Sequence, residues 1–217
     1  MADTITAPFE SADDDKLAAF GLTTTIIHDA LRPGGSRAGN RSALALPSSP
    51  GTDIYHDGME GLHRLLKPLD WNMAYVEGQP RLLHPDAVVS LTISSAVNVG
   101  AADMRLPRTR KKGPATRKSL APQDLLEGLF ADIDAELQAR IDDTAKEAPF
   151  YFLLCERVSV GGNGLALELS RPGAMTPGGS VNDWTDRIQI PFLDLDGDLE
   201  TFKPAVTDDI EVHIEPR

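Results

Sequence analysis

The stretch QDLLEGLFADIDAELQARIDDTAKEAPFYFLLCERVSVGGNGLALEL, residues 123–169, decides the fold class. Its first part places Leu125, Leu126, Leu129, Phe130, Ile133, Leu137 and Ile141 on one helical stripe, with Asp132, Asp134, Glu136, Arg140, Asp142 and Asp143 elsewhere. That spacing predicts an amphipathic helix over about 122–147, opened by Pro122 in its first turn and stopped by Pro149. Phe150 to Glu156 is then nearly continuous apolar sequence, as in a strand buried on both faces, and Gly161-Gly162-Asn163-Gly164 turns it back into Leu165–Leu169. A long helix followed by a hairpin implies an α+β fold. We expect a mixed or antiparallel sheet of short strands packed against the 122–147 helix and one or two shorter helices.

Working outward toward the N-terminus, Val88–Ile93, Arg81–His84 and Met73–Val76 read as a meander of short strands, turned at Glu77-Gly78-Gln79-Pro80. Met59, Leu62, Leu65 and Leu66 recur at helical spacing between Gly58 and Lys67, with Asp57 as the expected N-terminal cap. Residues 33–51 are dense in Gly, Ser and Pro and are expected to form a long loop, with a short strand at Ala43–Leu46. Leu17 to Arg32 permits a helix, broken by Pro33-Gly34-Gly35. Residues 1–16, with Asp3, Glu10, Asp13, Asp14 and Asp15, read as a disordered acidic leader, leaving 17–217 as a single α+β domain. On the C-terminal side, Ile188–Phe192 reads as a strand, and Ile210, Val212 and Ile214 alternate with charged residues as in an edge strand.

The composition of these 217 residues, 41% apolar and 25% charged, is that of a globular chain and excludes collagen-like and fully disordered classes. Cys155 is the single cysteine, so no intrachain disulfide can form, and the thiol follows an apolar run where a small hydrophobe is wanted. With no basic start and apolar run of an export signal, a cytoplasmic location is expected, and no stretch is apolar enough for a membrane span.

The charge is uneven. Net charge is −12, yet the second long loop, 105–121, opens a segment Arg105–Gln123 that carries Arg105, Arg108, Arg110, Lys111, Lys112, Arg117 and Lys118 with no acid. Subtracting these 7 positive charges from −12 leaves −19 on the remainder. Like charges in a loop repel one another unless an anion neutralises them, and nucleic-acid phosphate is the commonest partner of such a cluster. The alternatives are pairing with the chain's own acids or simple solvation.

Other chemistry finds little purchase. Asp194-Leu195-Asp196-Gly197-Asp198-Leu199-Glu200 resembles a calcium loop, but its glycine falls fourth rather than sixth, and Ala205 stands where the twelfth-position glutamate belongs. Histidines 28, 56, 63, 84 and 213 form no metalloenzyme motif, and neither glycine-rich stretch (34–39 or 173–178) is followed by the lysine of a phosphate loop. There is no nucleophile elbow of the GxSxG type. No metal, cofactor or catalytic residue is therefore assigned. Trp184 and Arg187 read as a packing pair, the guanidinium over the indole.

Three patches resemble an uncharacterised family of bacterial proteins carried on prophage-type and other mobile elements. They are Ser94-Ser95-Ala96-Val97-Asn98-Val99-Gly100, Lys112-Gly113-Pro114-Ala115-Thr116, and Asn182-Asp183-Trp184-Thr185-Asp186-Arg187-Ile188-Gln189-Ile190-Pro191, and the likeness spans roughly residues 70–192. The resemblance implies a bacterial or mobile-element setting and brings no catalytic residues with it. The expectation is a non-enzymatic accessory protein that contacts nucleic-acid phosphates through Arg108, Arg110, Lys111, Lys112, Arg117 and Lys118. Two alternatives stay open: an acidic partner-binding protein that regulates a basic, DNA-binding protein, and an enzyme whose site gathers distant acids such as Asp183, Asp186, Asp194 and Asp196.

Overall fold

The computed structural model describes residues 10–101, 105–113, 116–117, 120, 133–158 and 163–196. Its order is α1 (Glu10–Ala19), α2 (Thr24–Gly39), α3 (Ser49–Leu66), a 3-10 turn (Lys67–Leu69), β1 (Asn72–Val76), β2 (Gln79–Leu83), β3 (Ser90–Val97), β4 (Arg108–Thr109), α4 (Ile133–Glu147), β5 (Phe150–Val158), β6 (Gly164–Met175) and β7 (Val181–Asp194). The seven strands make one sheet in the order β1-β2-β3-β5-β6-β7, with the two-residue β4 paired to β3. Among the described residues only β3 and β5 run parallel, Ser90 against Phe150 through Ser95 against Cys155, so the sheet is mixed and the fold is α+β.

Strand alternation divides the apolar residues between two faces. Leu91, Ile93, Tyr151, Leu153, Cys155, Leu167, Leu169 and Ile188 form the main core with Leu17, Ile27, Leu31, Met59 and Leu62 of the first three helices. On the opposite face, Phe150, Phe152 and Leu154 pack with Ala96, Val99 and Val181. The same face carries α4 over β1 and β2, through Ala145 and Ala148 against Ala74, Val76 and Leu83. The meander turns tightly at Glu77 (φ 50°) and Gly78 (φ 75°), a left-handed pair that suits a two-residue hairpin.

Several boundaries differ from the sequence reading. Residues 10–16 of the expected leader are helical. Leu17 is buried in the core, and the Asp13 carboxylate accepts the Gln189 N–H of β7, so the acids serve as docking groups. The 33–51 loop shrinks to the residues between α2 and α3, because α2 runs through Pro33-Gly34-Gly35. Contact with α3 overrides the breakers: a Cβ on Gly34 would lie 2.8 Å from the Asp53 carbonyl oxygen, and one on Gly61 would lie 2.7 Å from that of Ala30. Bare backbone at these sites lets the two helices approach closely, and tertiary packing then holds the proline in register.

Ala43–Leu46 is turn rather than strand, with Leu44 almost fully exposed. Asp57 lies inside α3 and pairs with Arg37 at 3.3 Å, since the helix begins at Ser49 and not after Asp57. Leu137 of the anticipated stripe is exposed, for the described part of α4 covers only the β1–β2 end of the sheet through Ile141, Ala145 and Ala148. The first part of the anticipated 122–147 helix and the 210–215 strand lie outside the described residues. In the 105–121 loop, Arg108 and Thr109 form a strand against Val97 and Ala96. The β6–β7 hairpin is also longer than the sequence reading gave it, reaching Met175 and starting its return at Val181.

Candidate anion-binding cleft

The basic segment is fastened to the fold by backbone and side chain alike. Thr109 accepts the Val181 N–H through its hydroxyl at 3.0 Å, and the Lys112 N–H donates to the Gly179 carbonyl at 2.8 Å. Trp184 donates its indole N–H to the Pro107 carbonyl at 2.8 Å. These bonds tie residues 107–112 to the β6–β7 hairpin, so the mutual repulsion expected of a free basic loop is opposed by a fixed frame. Gly179 (φ 86°) sits beneath it: a Cβ there would meet Arg117 Nη2 at 2.9 Å and Lys111 Cγ at 3.2 Å.

The predicted contact residues then separate by orientation. Arg108, Arg110, Lys111 and Arg117 are exposed, and among the described residues none of them forms an ion pair. Lys112 departs from the expectation of a phosphate contact. Its amine donates to Ser94 Oγ and lies 5.1 Å from the centre of the Phe152 ring. Burial, with the like charge of Arg110 beside it, draws the amine from its ordinary 10.5 down to about 8. The inward turn follows from the sheet, because Phe152 and Ser94 face the segment from β5 and β3 and offer a ring and a hydroxyl to a single long side chain. Lys118 lies outside the described residues.

Arg108 and Arg110 meet a third cation that sequence reading did not connect to them. A cleft of about 590 Å³ opens at the carboxyl ends of the parallel strands β3 and β5, and Arg108, Arg110 and Arg157 all line it. Its remaining wall is Ser95 to Val97, Cys155, Thr109 and Ser180, with Pro47, Pro50, Gly51 and Ile54 contributed by the approach to α3 and its first turns. Glu156, the one acid of the lining, accepts the Val99 N–H at 2.8 Å. The turn it holds carries Asn98 at φ 62°, a left-handed position that asparagine tolerates. Nothing in the sequence signals Arg157 as a partner of the basic segment, since it stands at the end of an apolar strand some fifty positions downstream. Only the parallel pairing of β3 with β5 brings the two together.

Beyond the cleft, a polar network crosses the same face. Glu168 is fully buried and receives Arg187 through two bonds, 2.6 and 2.8 Å, as well as the Ser170 hydroxyl. Arg187 therefore sits on a carboxylate rather than over Trp184, whose ring packs edge-on to Phe152 at 6.4 Å. Arg81, also fully buried, lies 3.9 Å from the Phe150 ring centre, and burial lowers its guanidinium to about 10.

Cys155 is buried and its thiol is pushed up to about 12, which keeps it neutral although it borders the cleft. Asp183, Asp186, Asp194 and Asp196 are not gathered. Asp183, Asp186 and Asp194 are spread along β7, whose eleven steps from Asp183 to Asp194 span on the order of 35 Å. Asp186 accepts the Tyr151 hydroxyl at 2.9 Å, and Asp194 accepts the Asp196 N–H. Among the described residues no three His, Cys, Asp or Glu side chains are grouped so as to hold a metal ion, and no helix is long and apolar enough to cross a membrane.

No family model, no curated protein and no solved structure matches the chain.

Proposed function

We propose that this protein is a non-enzymatic accessory factor of a bacterium or its prophage-type mobile element, acting in the cytoplasm and binding nucleic-acid phosphates through its basic segment. The observation that carries the reading is the set Arg108, Arg110, Lys111 and Arg117: exposed cations without carboxylate partners among the described residues, in a chain whose net charge is −12. An acidic chain does not concentrate unneutralised cations on a bonded scaffold without electrostatic cost, and a polyanion removes that cost. Guanidinium and ammonium groups without base-reading partners give sequence-independent contacts.

The test is fluorescence anisotropy with labelled single- and double-stranded DNA and RNA between 0.1 and 0.5 M salt. Four phosphate contacts give a slope of log K against log salt of about −3 to −4 on duplex DNA. The triple variant Arg108→Ala, Arg110→Ala, Lys111→Ala should lower the magnitude of that slope by about 2 to 3, while Lys112→Met should leave it unchanged because its amine faces Phe152. Absence of binding by the wild type at 0.1 M salt refutes the reading. It would move attention to the −19 remainder as a surface for a basic protein partner.

A further inference from the structure

We infer that the cleft at the ends of β3 and β5 is a site for a phosphomonoester carried on an organic body, either a free small molecule or the terminal phosphate of a nucleic-acid strand. The inference deepens the phosphate-binding reading where Arg108 and Arg110 are shared, and stands apart from it at Arg157, which is no part of the basic segment.

Three observations converge. The first is charge: Arg108, Arg110 and Arg157 line one cavity, none has an ion-pair partner among the described residues, and the single acid of the lining is engaged with a backbone N–H. A dianion with three terminal oxygens can take forked guanidinium contacts from more than one arginine, whereas a diester offers one charge and two free oxygens.

The second is size and lining. About 590 Å³ is in the range of small-molecule sites, larger than a bare phosphate requires, and the lining combines the apolar side chains of Pro47, Pro50 and Ile54 with the hydroxyls of Ser95 and Ser180. A ligand that is charged at one end and apolar at the other matches both kinds of lining. The third is topology: the parallel strands end at the cleft and α3 begins there, an arrangement that collects backbone ends where open sheets take their ligands. Pro50 in the first turn lacks an N–H, so the charge recognition rests on the arginines rather than on the helix end.

The experiment uses the full chain and three probes: inorganic phosphate, adenosine monophosphate, and a short single strand with either a 5′-phosphate or a 5′-hydroxyl. Binding is read by calorimetry, and by competition of each unlabelled probe against the labelled 5′-phosphorylated strand. The expected result is that adenosine monophosphate binds at least tenfold more tightly than inorganic phosphate and displaces the phosphorylated strand, with a tenfold or greater loss in Arg157→Ala. A fivefold or larger preference for the 5′-phosphate end over the 5′-hydroxyl end assigns the strand terminus as a source, and equal affinity for the two ends assigns the free ester. Lys111→Ala, outside the cleft, should weaken the strand but not the mononucleotide.

Strand binding with no monoester binding at millimolar concentration, or with no effect of Arg157→Ala, overturns the inference and leaves the phosphate-backbone reading standing. Inorganic phosphate binding as tightly as the mononucleotide also overturns it, since the apolar wall would contribute nothing. Monoester binding without strand binding keeps the cleft and refutes the phosphate-backbone reading.

Discussion

Lys112 shows how one side chain can reverse its role between sequence and fold. Within Arg110-Lys111-Lys112 the two lysines are chemically equivalent, and period-2 reasoning cannot choose which turns inward when the paired strand β4 is only two residues long. The choice is made by Phe152 and Ser94, which belong to other strands. Its burial has a measurable sign. An amine whose folded value is about 8 instead of 10.5 makes the unfolded chain hold more protons between those two values, so stability rises with pH across that window. Below about pH 8 both states are protonated and the cost of burying the charge is present in full. Lys112→Met removes the titration while other groups cancel between the two proteins. The unfolding free energy of the wild type should therefore gain on that of Lys112→Met by about 2 to 3 kcal/mol from pH 7 to pH 10, measured by urea denaturation at each pH. A difference that stays flat or falls over that range would place the amine in solvent and return Lys112 to the phosphate-contacting set.

At the scale of elements, the parts that were legible in the sequence are those where local pattern and tertiary demand agree. The β1–β2–β3 meander, the β5 run and its antiparallel pairing with β6 each combine β-branched or apolar residues with turn chemistry nearby in the sequence, and these strands and pairings are present, while positions 159–162 of the expected turn lie outside the described residues. The failures come where packing overrules a local signal. Pro33-Gly34-Gly35 is a breaker in isolation, yet it lies within a 16-residue helix because glycine is what the α2–α3 crossing requires. Likewise α3 starts eight residues before the expected cap, through a Ser-Pro-Gly stretch that reads as loop. The candidate cleft was half legible for the same reason: Arg108 and Arg110 sit in a conspicuous cluster, while Arg157 and the Pro47–Pro50 wall reach it only through sheet order and helix placement.

The crossing gives its own prediction. Gly61→Ala puts a methyl 2.7 Å from the Ala30 carbonyl oxygen and 2.9 Å from its Cα, both backbone atoms that cannot rotate away. The helices must separate, at a cost of about 1 to 3 kcal/mol, although alanine is the better helix former. Gly51→Ala, in the same helix with nothing within 4 Å of the new Cβ, should be neutral or stabilising by up to about 1 kcal/mol. Urea midpoints of the two variants, at equal slope, decide the matter. A neutral Gly61→Ala would mean that the α2–α3 contact is looser than this geometry and that some other force holds Pro33 in the helix.

Over the whole molecule, the division of charge into +7 on Arg105–Gln123 and −19 elsewhere predicts a salt response unlike that of an ordinary basic domain. A chain of this length has a radius of gyration of about 17 Å when folded. At 0.01 M salt the Debye length is about 30 Å, so a polyanion approaching the basic segment feels the net −12 of the entire protein. At 0.1 M it falls to about 10 Å, and the distant acids are screened while the contacts proposed for Arg108, Arg110, Lys111 and Arg117, which would touch phosphate directly, are not. Above that, counterion release makes each contact progressively less favourable. Affinity for single-stranded DNA should thus pass through a maximum near 0.1 M rather than decline from the lowest salt upward. Anisotropy titrations at about 0.01, 0.03, 0.1 and 0.3 M salt test this directly, and a variant in which exposed acids of α4 such as Glu136, Asp143 and Glu147 are changed to glutamine or asparagine should move the maximum to lower salt. A monotonic fall in the wild type would mean that the acidic remainder exerts no field at the basic segment, and the electrostatic division of the molecule would then be a feature of its composition alone.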